Sequence, residues 1–143
     1  MKIIFDYNRT LFNPDTDSLY QGVVELLQKL SENNELFLIS RNEPGRENRL
    51  KEIGIKKYFN NLAFVEDKTA ELFIRLVGPR KNVFVVGDRV KEEITIGNKL
   101  GFKTIWVQQG KFAAELPSNA LEQATFTVKN IQEIQSIISK YEN

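Results

Sequence analysis

Six short apolar runs, separated by stretches of helical spacing, constrain this chain more than any other feature. They are Ile3-Ile4-Phe5, Leu36–Ile39, Leu62–Val65, Val83–Val86, Thr104–Val107 and Thr125–Val128. Each has the length of a strand; the first has the apolar character of one buried on both faces, and the third is weaker. Between the first two, Leu19, Val23, Leu26, Leu27 and Leu30 recur at helical spacing, and the turn cluster Asn13–Ser18 is expected to cap that helix. Pro44 and Gly45 open a polar helix with Leu50 and Ile53 inward, closed by Gly54. Leu72, Phe73, Leu76 and Val77 mark a third helix, Ile94, Ile96 and Leu100 a fourth, and Ile131, Ile134, Ile137 and Ile138 a last one. A β-α alternation predicts a parallel sheet covered by helices on both faces, a three-layer α/β/α Rossmann-like fold. At 143 residues, with 41% hydrophobic, the expectation is one domain over residues 1–143.

Four of the runs end in, or just before, polar groups: Asp6, Ser40, the pair Asp67-Lys68, and Asp88 after Gly87. In a parallel sheet these ends share one edge, where open α/β sheets bind ligands. The set suits phosphoryl transfer. Asp6 could attack phosphorus, Asp6 and Asp88 could hold Mg²⁺, Lys68 could neutralise phosphate, and the Ser40 hydroxyl could bind its oxygens. Arg9, Arg41 and Arg89 also lie near strand ends and would suit an anionic substrate. Taken singly, each residue has a plainer reading. Asp6 and Ser40 read as caps, Gly87-Asp88 as a turn, and Lys68, Glu92 and Glu93 as solvated helix positions.

Two absences narrow the chemistry. With no cysteine and no histidine, there is no thiolate nucleophile, His-based triad or His/Cys zinc site, and any metal must be a hard cation held by oxygen. A net charge of +1 gives no nucleic-acid signature and no attraction to membranes. The N-terminus reaches Asp6 too soon for a signal peptide, so the expected location is cytoplasmic.

The order Asp6, Ser40, Lys68, Gly87-Asp88 resembles the haloacid dehalogenase (HAD) superfamily of phosphohydrolases. The most specific stretch runs from Val85 through Gly87-Asp88 to Ile94 and on through Gly97–Thr104, with an acid a turn after Gly-Asp and then a Gly-bounded helix. The resemblance implies a core strand order of 3-2-1-4-5. It also implies Asp6 as nucleophile, and Mg²⁺ held by Asp6, the Asn8 carbonyl and Asp88. Ser40 and Lys68 would bind phosphate, with Arg9 and Arg41 as further candidates. Glu93 stands where the family usually has Asp, so it is read either as a metal ligand through water or as a residue that orients Lys68.

Two departures from the family pattern stand out. The first motif reads Asp-x-Asp-x-Thr in the family, but its second Asp is Asn8 here. That Asp protonates the leaving group and activates the hydrolytic water, and an amide can do neither. The second departure is size: between Asp6 and the second strand there is room for no cap domain, which implies an open site and, as in other capless members, a homo-oligomer or a large substrate. The expectation is therefore a Mg²⁺-dependent phosphohydrolase of weak or specialised activity on a phosphorylated substrate. The alternative is a catalytically impaired binding or regulatory module that keeps the phosphate pocket.

Overall fold

The computed structural model describes residues 1–79 and 81–142. Its centre is β1 (Lys2–Asp6), in which every residue after Lys2 is buried. The chain then forms a small hairpin, β2 (Phe12–Asn13) and β3 (Ser18–Leu19), before α1 (Val23–Ser31), β4 (Glu35–Arg41) and α2 (Arg46–Glu52). After these come β5 (Asn61–Val65), α3 (Ala70–Val77), β6 (Val83–Gly87), α4 (Thr95–Lys99) and β7 (Lys103–Val107). The last elements are β8 (Phe126–Val128) and α5 (Ile134–Ser139).

Six strands form one parallel sheet in the order β5-β4-β1-β6-β7-β8. The expected five-strand order is present, and β8 extends it at one edge. Side chains alternate across the sheet, as extended backbone requires. Ile3 and Phe5 point to the face covered by α1 and α5, where Val23, Leu26, Leu27, Ile134 and Ile138 pack. Ile4 points to the opposite face, against Phe73, Leu76 and Val77 of α3 and Phe102. The two buried clusters make the three-layer Rossmann-like α/β architecture expected from the alternation. Among the described residues no domain is inserted between β1 and β4.

The sequence reading of residues 13–30 needs correction. Asn13–Ser18 does not cap a helix, and Leu19 does not belong to one. Phe12 pairs antiparallel with Leu19, and the Phe12 ring stacks on Tyr7 at 5.1 Å between centroids. That apolar contact favours a hairpin folded back over the end of β1, and α1 starts only at Val23 after Gly22, whose φ is 88°. Leu19 looked helical because it stands four residues before Val23, yet its pairing is with Phe12.

Register explains how the strand ends meet. Asp6 lies level with Ile39 on one side of β1, and Phe5 with Val86 on the other. Ser40 and Asp88 therefore each stand one residue beyond the level of Asp6. Because the chain moves outward from β1 to β4 and β5 and then crosses back to β6, the sheet reverses direction between β1 and β6, a topological switch point where such sheets form a crevice.

Candidate active site

A cleft of about 170 Å³ opens at this edge, lined among others by Asp6, Asn8, Ser40, Lys68, Asp88 and Glu93. Its deepest feature is a buried ion-pair group. Lys68 Nζ lies 2.5 Å from Asp6 Oδ1 and 2.5 Å from Glu93 Oε1, with the three side chains 2–7% exposed. The plain readings of Lys68 and Glu93 as solvated helix positions are thus corrected. Lys68 precedes the Thr69 cap of α3 and reaches inward. Glu93 lies in a single π-helical turn, Val90–Ile94, whose widened winding presents it to the cleft. Such turns often occur at functional sites. Glu93 Oε2 also accepts the Arg89 backbone N–H at 3.4 Å.

Ionisation follows from this packing. Burial alone would push the Lys68 ammonium down, but Glu93 and Asp6 outweigh it and hold Lys68 charged. Burial, then the Asp6 charge, pushes Glu93 up to about 7 against the opposing pull of Lys68. Asp88 is pushed up to about 9, by burial first and then by Asp6 and Glu93. Three buried acids around one lysine leave the site short of positive charge.

That deficit tests whether a cation fits. One oxygen from each of Asp6, Asp88 and Glu93 lies within 4.8 Å of the others, and Asp88 Oδ2 is buried without a hydrogen-bond partner. An all-oxygen donor set with an orphaned carboxylate oxygen suits a hard divalent cation.

The other expected residues are brought to the same cleft in different ways. Ser40 Oγ donates to the Arg41 carbonyl at 3.1 Å and accepts from Arg46 at 2.5 Å, so it caps no helix. Arg41 lines the cleft, but its guanidinium holds the Glu66 carbonyl at 2.7 Å and Glu92 at 2.9 Å. Arg9 and Asn8 line it from the loop after β1. Asp15 and Asp17, the nearest further acids in sequence to the leaving-group side, are exposed on the hairpin and are not among the lining residues.

Several contributors were missed from sequence. Arg46, only 9% exposed, stacks over Tyr7 at 4.6 Å and pairs with Glu43 at 2.8 Å. Thr10, fully buried, donates to Asp6 Oδ2 at 3.2 Å. Trp106 fixes the Asp88 carbonyl through an indole N–H at 2.9 Å. Lys111 and Phe112 complete the rim. Thr10 carries a visible signal, a hydroxyl four residues after the strand-end acid. Arg46 carries none, because a cation in the first turn of a polar helix normally faces water.

Comparison with known proteins agrees with this fold. Among solved structures, a haloacid dehalogenase-like hydrolase from Burkholderia xenovorans superposes with a TM-score of 0.82 at 11% identity, over 98% of this chain and 97% of that one. The magnesium-bound HAD-hydrolase YfnB from Bacillus subtilis gives 0.70 at 17% identity, over 85% of this chain and 56% of that one. A HAD phosphatase from Thermococcus onnurineus gives 0.71 at 16% identity, over 85% and 58%. The chain thus spans little more than half the length of the last two. These likenesses define the class, a HAD-like α/β fold. Residues 64–134, from the end of β5 into α5, match the model of the HAD-hydrolase-like family. In fold and in this matched segment the chain is HAD-like. No curated protein sequence matches it. Among the described residues no helix is long and apolar enough to cross a membrane.

Proposed function

We propose that the chain acts as a single domain and is a Mg²⁺-dependent phosphohydrolase working through an aspartyl-phosphate on Asp6. The observation that carries this reading is the buried Asp6–Lys68–Glu93 bridge beside the orphaned Asp88 oxygen. In this reading Mg²⁺ is held by Asp6, Asp88 and the Asn8 carbonyl, and when bound it supplies the positive charge that lets phosphate approach the carboxylates. Lys68 and Ser40 bind phosphoryl oxygens, with Arg46, Arg41 and Arg9 as nearby cations. Glu93 orients Lys68 and acts on substrate only through it.

An Asp6 carboxylate oxygen forms the new bond to phosphorus as the ester oxygen departs with its electron pair. Water then attacks phosphorus, releasing phosphate and restoring the carboxylate. Both steps need a proton moved, and Asn8 cannot move one. Turnover should therefore depend strongly on leaving-group acidity. Replacing Asn8→Asp should raise kcat for poor leaving groups by up to about 10²–10⁴-fold, with a smaller gain for aryl phosphates. Equal hydrolysis of an aryl phosphate by the native protein and Asp6→Ala would refute the reading.

Asn8 itself favours a second reading, a binding or regulatory module that captures phosphate without turnover. Phosphate binding that persists alongside an undetectable rate, even after Asn8→Asp, would support it.

A further inference from the structure

Beyond the phosphate pocket, one side of the cleft mouth carries three cations around a single aromatic ring. Arg89, Lys111 and Arg9 lie 4.1, 5.0 and 5.6 Å from the Phe112 centroid. Arg89 is balanced, since it pairs with Glu92 and with Glu115 at 3.3 Å. Arg9 and Lys111 are not: among the described residues neither has a carboxylate within 4.0 Å. Both line the cleft that contains Asp6. The ring face offsets part of this charge, but like charges gathered at one point remain unfavourable until an anion joins them.

The arrangement is held deliberately. Arg9 has a left-handed backbone with φ of 61°, which a non-glycine residue rarely adopts and which tends to persist at functional sites. Gln109 Nε2 fixes that turn, donating to the carbonyls of Arg9 at 3.0 Å and Thr10 at 3.2 Å. The Arg9 stem lies along Gly110, where an added Cβ would come within 3.3 Å of three Arg9 carbons. The loop after β7 and the loop after β1 are thus latched together, with Arg9 carried over Phe112.

We propose that Arg9 and Lys111, arrayed on Phe112, form a subsite for a second anionic group on the substrate. This rests on the phosphohydrolase reading and narrows it: the preferred substrates are small phosphate esters bearing a carboxylate or a further phosphate near the ester.

A matched two-carbon series tests this: ethyl phosphate, phosphoglycolate, ethylene glycol bisphosphate and phosphoethanolamine. The native protein should favour phosphoglycolate or the bisphosphate over ethyl phosphate by roughly tenfold in kcat/KM, as two partly exposed ion pairs would give. Whichever of these two esters leads identifies the second group as carboxylate or phosphate. Arg9→Gln and Lys111→Gln should each reduce that ratio by about threefold, and Lys111→Glu should shift preference toward phosphoethanolamine. A native ratio near one, or a ratio unchanged in all three variants, would overturn the proposal. If none of these alkyl esters is turned over, as expected for poor leaving groups beside Asn8, the phosphohydrolase reading is decided separately by the aryl phosphate and Asp6→Ala. The same ratios are then read as dissociation constants from the fluorescence of Trp106, the chain's single tryptophan, which is bonded to the Asp88 carbonyl.

Discussion

Gly87 precedes Asp88 at the end of β6, and its value lies in what a side chain there would displace. A Cβ would come 2.6 Å from Glu93 Oε2 and 3.0 Å from Glu93 Cβ and Cγ. Glu93 is buried, with its other oxygen bonded to Lys68, so it cannot swing freely into solvent. Gly87→Ala therefore forces an overpacked contact that should cost about 1–3 kcal/mol. For 143 residues the entropy of unfolding is about 300 cal/mol/K, so Tm should fall by roughly 3–10 °C. Because the strain falls on Glu93, shortening that residue should relieve part of it. Glu93→Asp alone weakens the hold on Lys68 and destabilises. In the Gly87→Ala background it should cost clearly less. Thermal or urea denaturation of the native protein, both single variants and the double variant measures the coupling. A Tm for Gly87→Ala within about 1 °C of native, or costs additive to within about 0.5 kcal/mol, would refute the claim that Gly87 is there to admit Glu93.

Other consequences follow from the charges. Glu93 and Asp88 titrate at about 7 and about 9 when folded, against 4.5 and 3.8 as ordinary groups, so the folded state holds extra protons between those limits. In a chelator, stability should fall as pH rises from about 4 to 9. Saturating Mg²⁺ should flatten that fall by replacing the protons, and identical slopes with and without Mg²⁺ in urea midpoints would count against a cation at these acids. Glu122 behaves oppositely: the Ser118 backbone N–H first, then Lys91, hold it down to about 2 from 4.5. Its stabilisation is present above its ordinary range and lost as pH falls from about 4.5 to 2, so Glu122→Gln should remove that portion of the acid-side loss in urea midpoints.

Much of the fold was legible because it depends on period and punctuation. Each apolar run is bounded by turn residues, and alternation with helical spacing leaves a parallel sheet as the simple solution. The hairpin after β1 was missed for a matching reason. Its strands, Phe12–Asn13 and Ser18–Leu19, are too short to show a period, and they are held by Phe12 stacking on Tyr7, a tertiary contact that no local pattern encodes.

The candidate site divides along the same physical line. Asp6, Ser40 and Asp88 could be grouped from sequence because parallel register carries strand ends to one edge whatever the side chains are. Lys68 and Glu93 lie beyond the strands, where local rules favour solvent, and their burial follows from each other. Lys68 is tolerable inside only with Glu93 and Asp6 against it, and Glu93 only with Lys68. Arg9, Lys111 and Phe112 meet because Gln109 and Gly110 join two loops about a hundred residues apart, a closure invisible to any window along the chain. The interior of the site thus carries more acid than lysine, while its mouth carries more cation than acid. On the proposed reading that gradient suits a divalent cation at the bottom and an anion-bearing substrate above it, and it makes the deep acids and the rim cations separable by experiment. Chelation should act on the pH slope, and rim substitutions on the choice between esters of different tail charge.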